Sequence, residues 1–211
     1  MNIDDYDVAL DVAYNDNIKK LLKKSYKNTI DAQYGVYLKA PYENCFTINL
    51  KASHGWLDWV INFFLLGIPK KTPYGKALYG YVKEINKFWP EIANDIFYLM
   101  EENKTRKEII ISGKSKGAGE ALLLIPRLIT CGVPVICGAF ESAKICDEEY
   151  SDKIKSLCPK IFETCYQNDI VPGIPFWFKH VTKPIQFGKR KFGLSIKDHI
   201  KSTTNKNVLE L

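Results

Sequence analysis

The stretch IIISGKSKGAGEALLLIPRL, Ile109 to Leu128, constrains the fold more than any other part of the chain. KEIIIS (107–112) is β-branched and apolar, which predicts a buried strand. GAGEALLLIPRLIT (117–130) has the composition of a helix. Only Gly113-Lys114-Ser115-Lys116 stands between them. With the strands and helices that alternate along the rest of the chain, this points to a mostly parallel α/β sheet. So short a glycine turn serves one of two chemistries: it cradles phosphate or it presents a serine.

The phosphate motifs each fail at a required residue. A Gly-x-x-x-x-Gly-Lys-Ser loop ending at Ser115 needs glycine at 108, where the chain has Glu108. A Gly-x-Gly-x-x-Gly/Ala fingerprint starting at Gly117 needs a small residue at 122, where it has Leu122. Gly113-Lys114-Ser115-Lys116-Gly117 fits Gly-x-Ser-x-Gly without a mismatch. The positions two before and two after a serine on so sharp a turn must be tiny, or their side chains collide, and Gly113 and Gly117 meet that need. The following helix aims its N-terminal N–H groups at the serine oxygen. The bland alternative is a glycine-rich turn with a surface serine.

The rest of the chain reads as strands alternating with helices in one domain, 1–211. An amphipathic helix is predicted over about 3–26, within an N-terminal helical segment 1–30. CFTINLK (45–51) is a strand and WLDWVINFFLL (56–66) an apolar helix. A long helix spans about 75–103, with Pro90 as a kink or break. VPVICGAF (133–140), KIFETCYQ (160–167) and KPIQFG (183–188) are strands, and DEEYSDKIKSL is a helix. The C-terminal segment 195–211 holds a short helix.

A serine becomes a nucleophile when a histidine takes its proton and an acid orients that histidine. The histidines are His54, His180 and His199. In α/β-hydrolases, whose serine stands on a Gly-x-Ser-x-Gly turn of this kind, the chain order is serine, acid, histidine. His54 precedes the serine, which leaves His180 and His199. Asp169, in QNDIVPGIP at the end of a predicted strand, is the candidate acid, since sites gather at the carboxyl ends of parallel strands. It equally suits a turn cap before Pro172.

Four segments resemble the class 3 lipase family, α/β-hydrolases of the fungal triacylglycerol-lipase type. IIISGKSKGAGEALLL is similar to its serine elbow, YQNDIVPGIPFWFKHV to its acid segment, and FTINLKASHGWLDWVINF to its Phe-Arg-Gly-Thr strand end and the segment beyond. VPVICGAFESAKICDEEY matches loosely the strand before its Phe-Gly-x-Pro-Arg loop. The resemblance implies an α/β-hydrolase fold, a mostly parallel central sheet flanked by helices, with a lid helix at about 54–66. It selects His199, in Asp198-His199, as the catalytic histidine and leaves His180 as a packed or capping residue. It implies ester hydrolysis by Ser115, Asp169 and His199. The oxyanion hole falls at Lys116 and at Ala52 or Ser53, although Ser53 also suits a helix cap. Trp56, Trp59 and Phe63 fall in the lid or acyl pocket, a pattern that a buried core helix would share.

The elbow departs from the family's His-Ser-Leu, with lysine on both sides of the serine. Lys116 would either set positive charge by the oxyanion, favouring an anionic ester, or point to solvent. The competing reading of the whole chain is a non-catalytic hydrolase-fold module that binds lipid or protein.

Composition narrows the partners. The net charge is +6, but the arginines are only Arg106, Arg127 and Arg190, and the lysines are scattered. Bidentate base readout relies on arginine, so no nucleic-acid partner is expected. Lipid or another ester is the expected substrate, with transient membrane-surface contact through the apolar segment. The six cysteines form no CxxC or zinc spacing. They read as buried reduced thiols, and no metal or cofactor is expected. The acidic start MNIDDYDVALDV is unlike a signal peptide. The expected location is the cytoplasm, which a phage product or a protein released by lysis would share.

Overall fold

The computed structural model describes residues 3–14, 24–27, 33–37, 45–50, 68–102, 108–189 and 193–210. In chain order the elements are α1 (Ile3–Tyr14), β1 (Lys24–Lys27), β2 (Gln33–Tyr37), β3 (Cys45–Leu50), β4 (Pro69–Thr72), β5 (Gly75–Leu78) and α2 (Tyr79–Glu102). They continue with β6 (Glu108–Lys114), α3 (Lys116–Thr130), β7 (Val135–Phe140), α4 (Glu148–Leu157), β8 (Lys160–Tyr166), β9 (Ile185–Phe187) and α5 (Ile196–Thr204). Seven strands form one sheet in the order β1-β2-β3-β6-β7-β8-β9. From β3 to β9 every pairing is parallel. β1 and β2 add an antiparallel edge beside β3.

The isoleucine run explains how the sheet is covered. Successive strand residues face opposite sides. Ile109 and Ile111 enter a core with Leu122 and Ile125 of α3 and Ile92 and Ile96 of α2. Ile110 enters a second core with Tyr6 and Leu10 of α1, Phe140 and Phe162. A central parallel strand with both faces buried needs apolar residues at consecutive positions, and β6 has them.

Polar contacts fix α1 to the sheet. Ser112 Oγ donates to the Ala9 carbonyl at 2.8 Å, and Asn49 Nδ2 to the Val12 carbonyl at 2.9 Å. Tyr6 Oη donates to the Leu209 carbonyl at 2.6 Å, tying α1 to the C-terminal segment. The described cysteines Cys131, Cys137, Cys146, Cys158 and Cys165 are free thiols, all buried except the half-buried Cys131.

Several elements differ from the expectations. The helix predicted over 3–26 ends at Tyr14, and within the predicted helical segment 1–30 residues 24–27 form β1. Local periodicity favours helix there, but pairing with β2, Lys24 opposite Val36 and Lys27 opposite Gln33, prevails. The helix predicted from 75 begins at Tyr79, because residues 75–78 pair with β4 instead. Thr72 Oγ1 closes that hairpin by donating to the Gly75 carbonyl at 2.9 Å. α2 then runs unbroken through Pro90. The lid expected at 54–66 lies outside the described residues.

Tyr6→Phe removes only the buried hydroxyl and leaves the Leu209 carbonyl without its donor. The expected loss is about 1 kcal/mol. Thermal denaturation is expected to show a melting temperature lower by roughly 2–4 °C.

Candidate active site

β6 ends at Lys114 and α3 begins at Lys116, so Ser115 alone makes the turn. Its backbone has φ 53 and ψ −116, a left-handed conformation that costs an L-residue about 1–3 kcal/mol. The turn is possible because the chain nearly touches itself. A Cβ on Gly113 would lie 2.4 Å from the carbonyl carbon and oxygen of Gly117. The Ser115 N–H donates to the Phe140 carbonyl at 2.9 Å, anchoring the elbow to β7.

The histidine arrives on α5. Ser195 caps that helix, accepting from the Asp198 N–H at 3.0 Å. Two bonds join its start to the loop after β8. The Ser195 N–H donates to the Asn168 carbonyl at 2.7 Å, and the Asn168 N–H donates to Asp198 Oδ2 at 3.2 Å. Asp198 is therefore a staple beside the histidine. The staple brings Asp169 against His199. His199 Nδ1 lies 2.6 Å from Asp169 Oδ2, and His199 Nε2 lies 2.9 Å from Ser115 Oγ. Asp169 Oδ1 also accepts from the Val171 N–H at 2.8 Å, so the aspartate caps its turn as well as orienting the histidine.

All three groups are buried. Burial lowers His199 to about 4, so the imidazole is neutral at neutral pH and able to accept a proton. Burial raises Asp169 to about 6, against hydrogen bonds from Glu141 and the Val171 N–H that favour its charged form. At neutral pH the aspartate is ionised.

His180 belongs elsewhere. Its Nδ1 lies 2.9 Å from Glu163 Oε1 and its Nε2 2.7 Å from the Pro172 carbonyl, a packed histidine bracing β8. Ala52, Ser53, Trp56, Trp59 and Phe63 lie outside the described residues. The backbone N–H of Lys116 is the first of α3, at the helix end that favours negative charge.

The Lys116 side chain overturns both of its expected roles. It does not reach solvent, and its ammonium is paired with a protein carboxylate rather than left for a substrate anion. It is buried, with Nζ 2.5 Å from Glu84 Oε2 and 3.8 Å from Glu120 Oε1. Burial holds the Glu120 carboxyl well above its ordinary range, with Lys116 opposing the rise and a hydrogen bond to Glu84 adding to it. Lys114 turns to the opposite face, its Nζ 4.4 Å from the centre of the Tyr14 ring.

Sequence reasoning missed Glu141, at the end of β7. It is fully buried, with a left-handed φ of 56. Its carboxyl lies in one group with Asp169 and His199, their candidate ligand atoms within 4.8 Å of one another. Three such groups could hold a cation, but both His199 nitrogens are already engaged by Asp169 and Ser115.

The parallel sheet, the strand–serine–helix elbow and the serine–histidine–aspartate chain at the strand ends define an α/β-hydrolase. The model of the family described as Lipase (class 3) matches residues 47–179. The chain belongs to that family and is a carboxylic ester hydrolase. No curated protein sequence matches it. Its fold is similar to a Rhizomucor miehei lipase in complex with its propeptide, with a TM-score of 0.76 at 17% identity over 90% of this chain and 69% of that one. It is similar to a lipase from Rhizopus microsporus var. chinensis, with a TM-score of 0.76 at 13% identity over 96% of this chain and 86% of that one. A mono- and diacylglycerol lipase from Aspergillus oryzae is also similar, with a TM-score of 0.68 at 15% identity over 87% and 71%.

Lys116→Met leaves Glu84 buried without its counter-charge. The expected loss is about 3–5 kcal/mol, measured by denaturant unfolding. The ratio of rates on anionic and neutral esters is expected to stay as in the wild type. A change in that ratio with no loss of stability would return the ammonium to the substrate.

Proposed function

We propose that this protein hydrolyses carboxylic esters of lipids through an acyl-enzyme formed on Ser115. The observation that carries the reading is the continuous contact from Ser115 Oγ through His199 to Asp169, at 2.9 and 2.6 Å. His199 Nε2 takes the serine proton as Oγ attacks the acyl carbonyl, and Asp169 holds the ring and stabilises the imidazolium. The imidazolium gives its proton to the leaving alcohol. Water, activated by the same histidine, then releases the acid.

The oxyanion receives the Lys116 N–H and, by resemblance, a donor from Ala52 or Ser53. β3 ends at Leu50 opposite Gly113, which supports that assignment. Each such donor contributes about 2.7–4 kcal/mol to transition-state stabilisation. The apolar segment with Trp56, Trp59 and Phe63 supplies the acyl pocket or lid. Exposed Phe176, Trp177 and Leu194, in the segments around Asp169 and His199, support contact with a lipid surface. The hydrogen-bonded serine and histidine count against a non-catalytic binding module.

A fluorophosphonate is expected to label the wild type at Ser115 and to spare Ser115→Ala. That variant is expected to lose at least about 10⁴-fold in kcat on p-nitrophenyl esters and phospholipids. Equal hydrolysis by the two proteins would refute the reading. Because Asp169 must be ionised to hold the imidazolium, kcat/KM is expected to fall as pH drops through about 6.

A further inference from the structure

Glu141 bears two costs at once. Its φ of 56 strains the backbone, and its carboxyl is fully buried. Three bonds hold it across the ends of β7 and β8. The Glu141 N–H donates to Thr164 Oγ1 at 3.1 Å, Thr164 Oγ1 donates to Glu141 Oε1 at 2.9 Å, and the Tyr166 N–H donates to Glu141 Oε2 at 3.0 Å. Held there, the carboxyl reaches within 4.8 Å of the Asp169 carboxyl. Two carboxylates cannot both be charged at that separation, so the pair keeps one proton. Asp169 already receives the N–H groups of Val171 and His199, and it faces the ring that becomes cationic. The proton therefore sits on Glu141.

We propose that Glu141 is a positioning residue for the triad, a buried neutral carboxylic acid that donates its proton to Asp169 and so holds the aspartate charged and aimed at His199. The proposal rests on Ser115, His199 and Asp169 acting as above. Burial and the neighbouring Asp169 raise Glu141 to about 8, while Thr164 and the Tyr166 N–H oppose them. The hydrogen bond from Glu141 lowers Asp169, countering its burial. Among the described residues, the other titratable groups that act on the pair are Tyr6 and Tyr14 on α1, whose phenols burial keeps neutral, and Asp198, which pushes Asp169 up. Lys114 stacks on Tyr14, and Lys201 lies over the Tyr166 ring.

The sign of the pH response follows. Above about 8 Glu141 ionises, the donor is lost, and a second negative charge confronts Asp169 and His199. Glutamine at this position keeps a neutral donor at every pH. Alanine removes the donor and lets Asp169 rise further.

The test measures fluorophosphonate labelling rate and kcat/KM on p-nitrophenyl butyrate from about pH 5 to about pH 10, for wild type, Glu141→Gln, Glu141→Ala and Ser115→Ala. The wild type is expected to decline on the alkaline side, and Glu141→Gln to lose that decline. Glu141→Ala is expected to move the acid limb to higher pH and to lower the rate near neutrality by about tenfold, the equivalent of one charge-assisted hydrogen bond. Melting temperatures for each variant separate these shifts from unfolding, and Glu141→Gln keeps the test decisive if Glu141→Ala does not fold. A Glu141→Gln profile that overlays the wild type, with Ser115→Ala inactive, would overturn the role of Glu141 alone. An active Ser115→Ala, or a wild type that does not label, would overturn the triad and the inference with it.

Discussion

The near-contact between Gly113 and Gly117 is the constraint on which the site depends. A Cβ on Gly113 would overlap the Gly117 carbonyl, so the strand and the helix meet this closely only without a side chain there. That approach forces Ser115 into its left-handed conformation and sets its Oγ beyond the sheet. It also starts α3 at the next residue, so the helix end faces the same oxygen. The cost of the strained serine is borne by the cores on either side of β6.

The same geometry decides which residues can join the serine. β6, β7 and β8 run parallel, so their carboxyl ends lie side by side. Ser115 follows β6, Glu141 follows β7 and Asp169 follows β8 by one short turn. His199 comes from a helix outside the sheet and needs separate fixing. The capping of α5 by Ser195 and the staple from Asn168 to Asp198 provide it. An imidazole a single helical turn out of place would miss both partners.

The elbow was legible because its demands are local. Two glycines around a serine, an apolar strand before and a helix after identify it without knowledge of distant residues. Asp169 and His199 were legible through order along the chain and through resemblance. The antiparallel edge was not, because β1 and β2 are defined by pairing with each other and with β3 rather than by their own short, mixed sequences. Lys116 misled for a similar reason. Its place inside the protein depends on Glu84, which lies on α2 and far along the chain. Glu141 left no sign beyond an acidic residue after a strand. What reveals it is a positive φ and a neighbour contributed by another strand.

The two buried acid pairs near the nucleophile follow one logic. On one face of the sheet Glu84 and Glu120 both lie against the Lys116 ammonium, at 2.5 and 3.8 Å. At the strand ends Glu141 and Asp169 lie together against His199. Burial raises Glu120 in the first group and Glu141 in the second, and the Glu141–Asp169 pair carries a single negative charge to be balanced. Lys116 is held in an ion pair with Glu84 inside the protein, which suits a structural anchor for the start of α3. His199 balances its pair only while it holds the serine proton. The buried site is thus nearest to electrical neutrality at the moment the tetrahedral intermediate forms, apart from the oxyanion met by backbone N–H groups. A fixed cation in place of the histidine would hold Asp169 equally well, but it could not change its charge during the reaction.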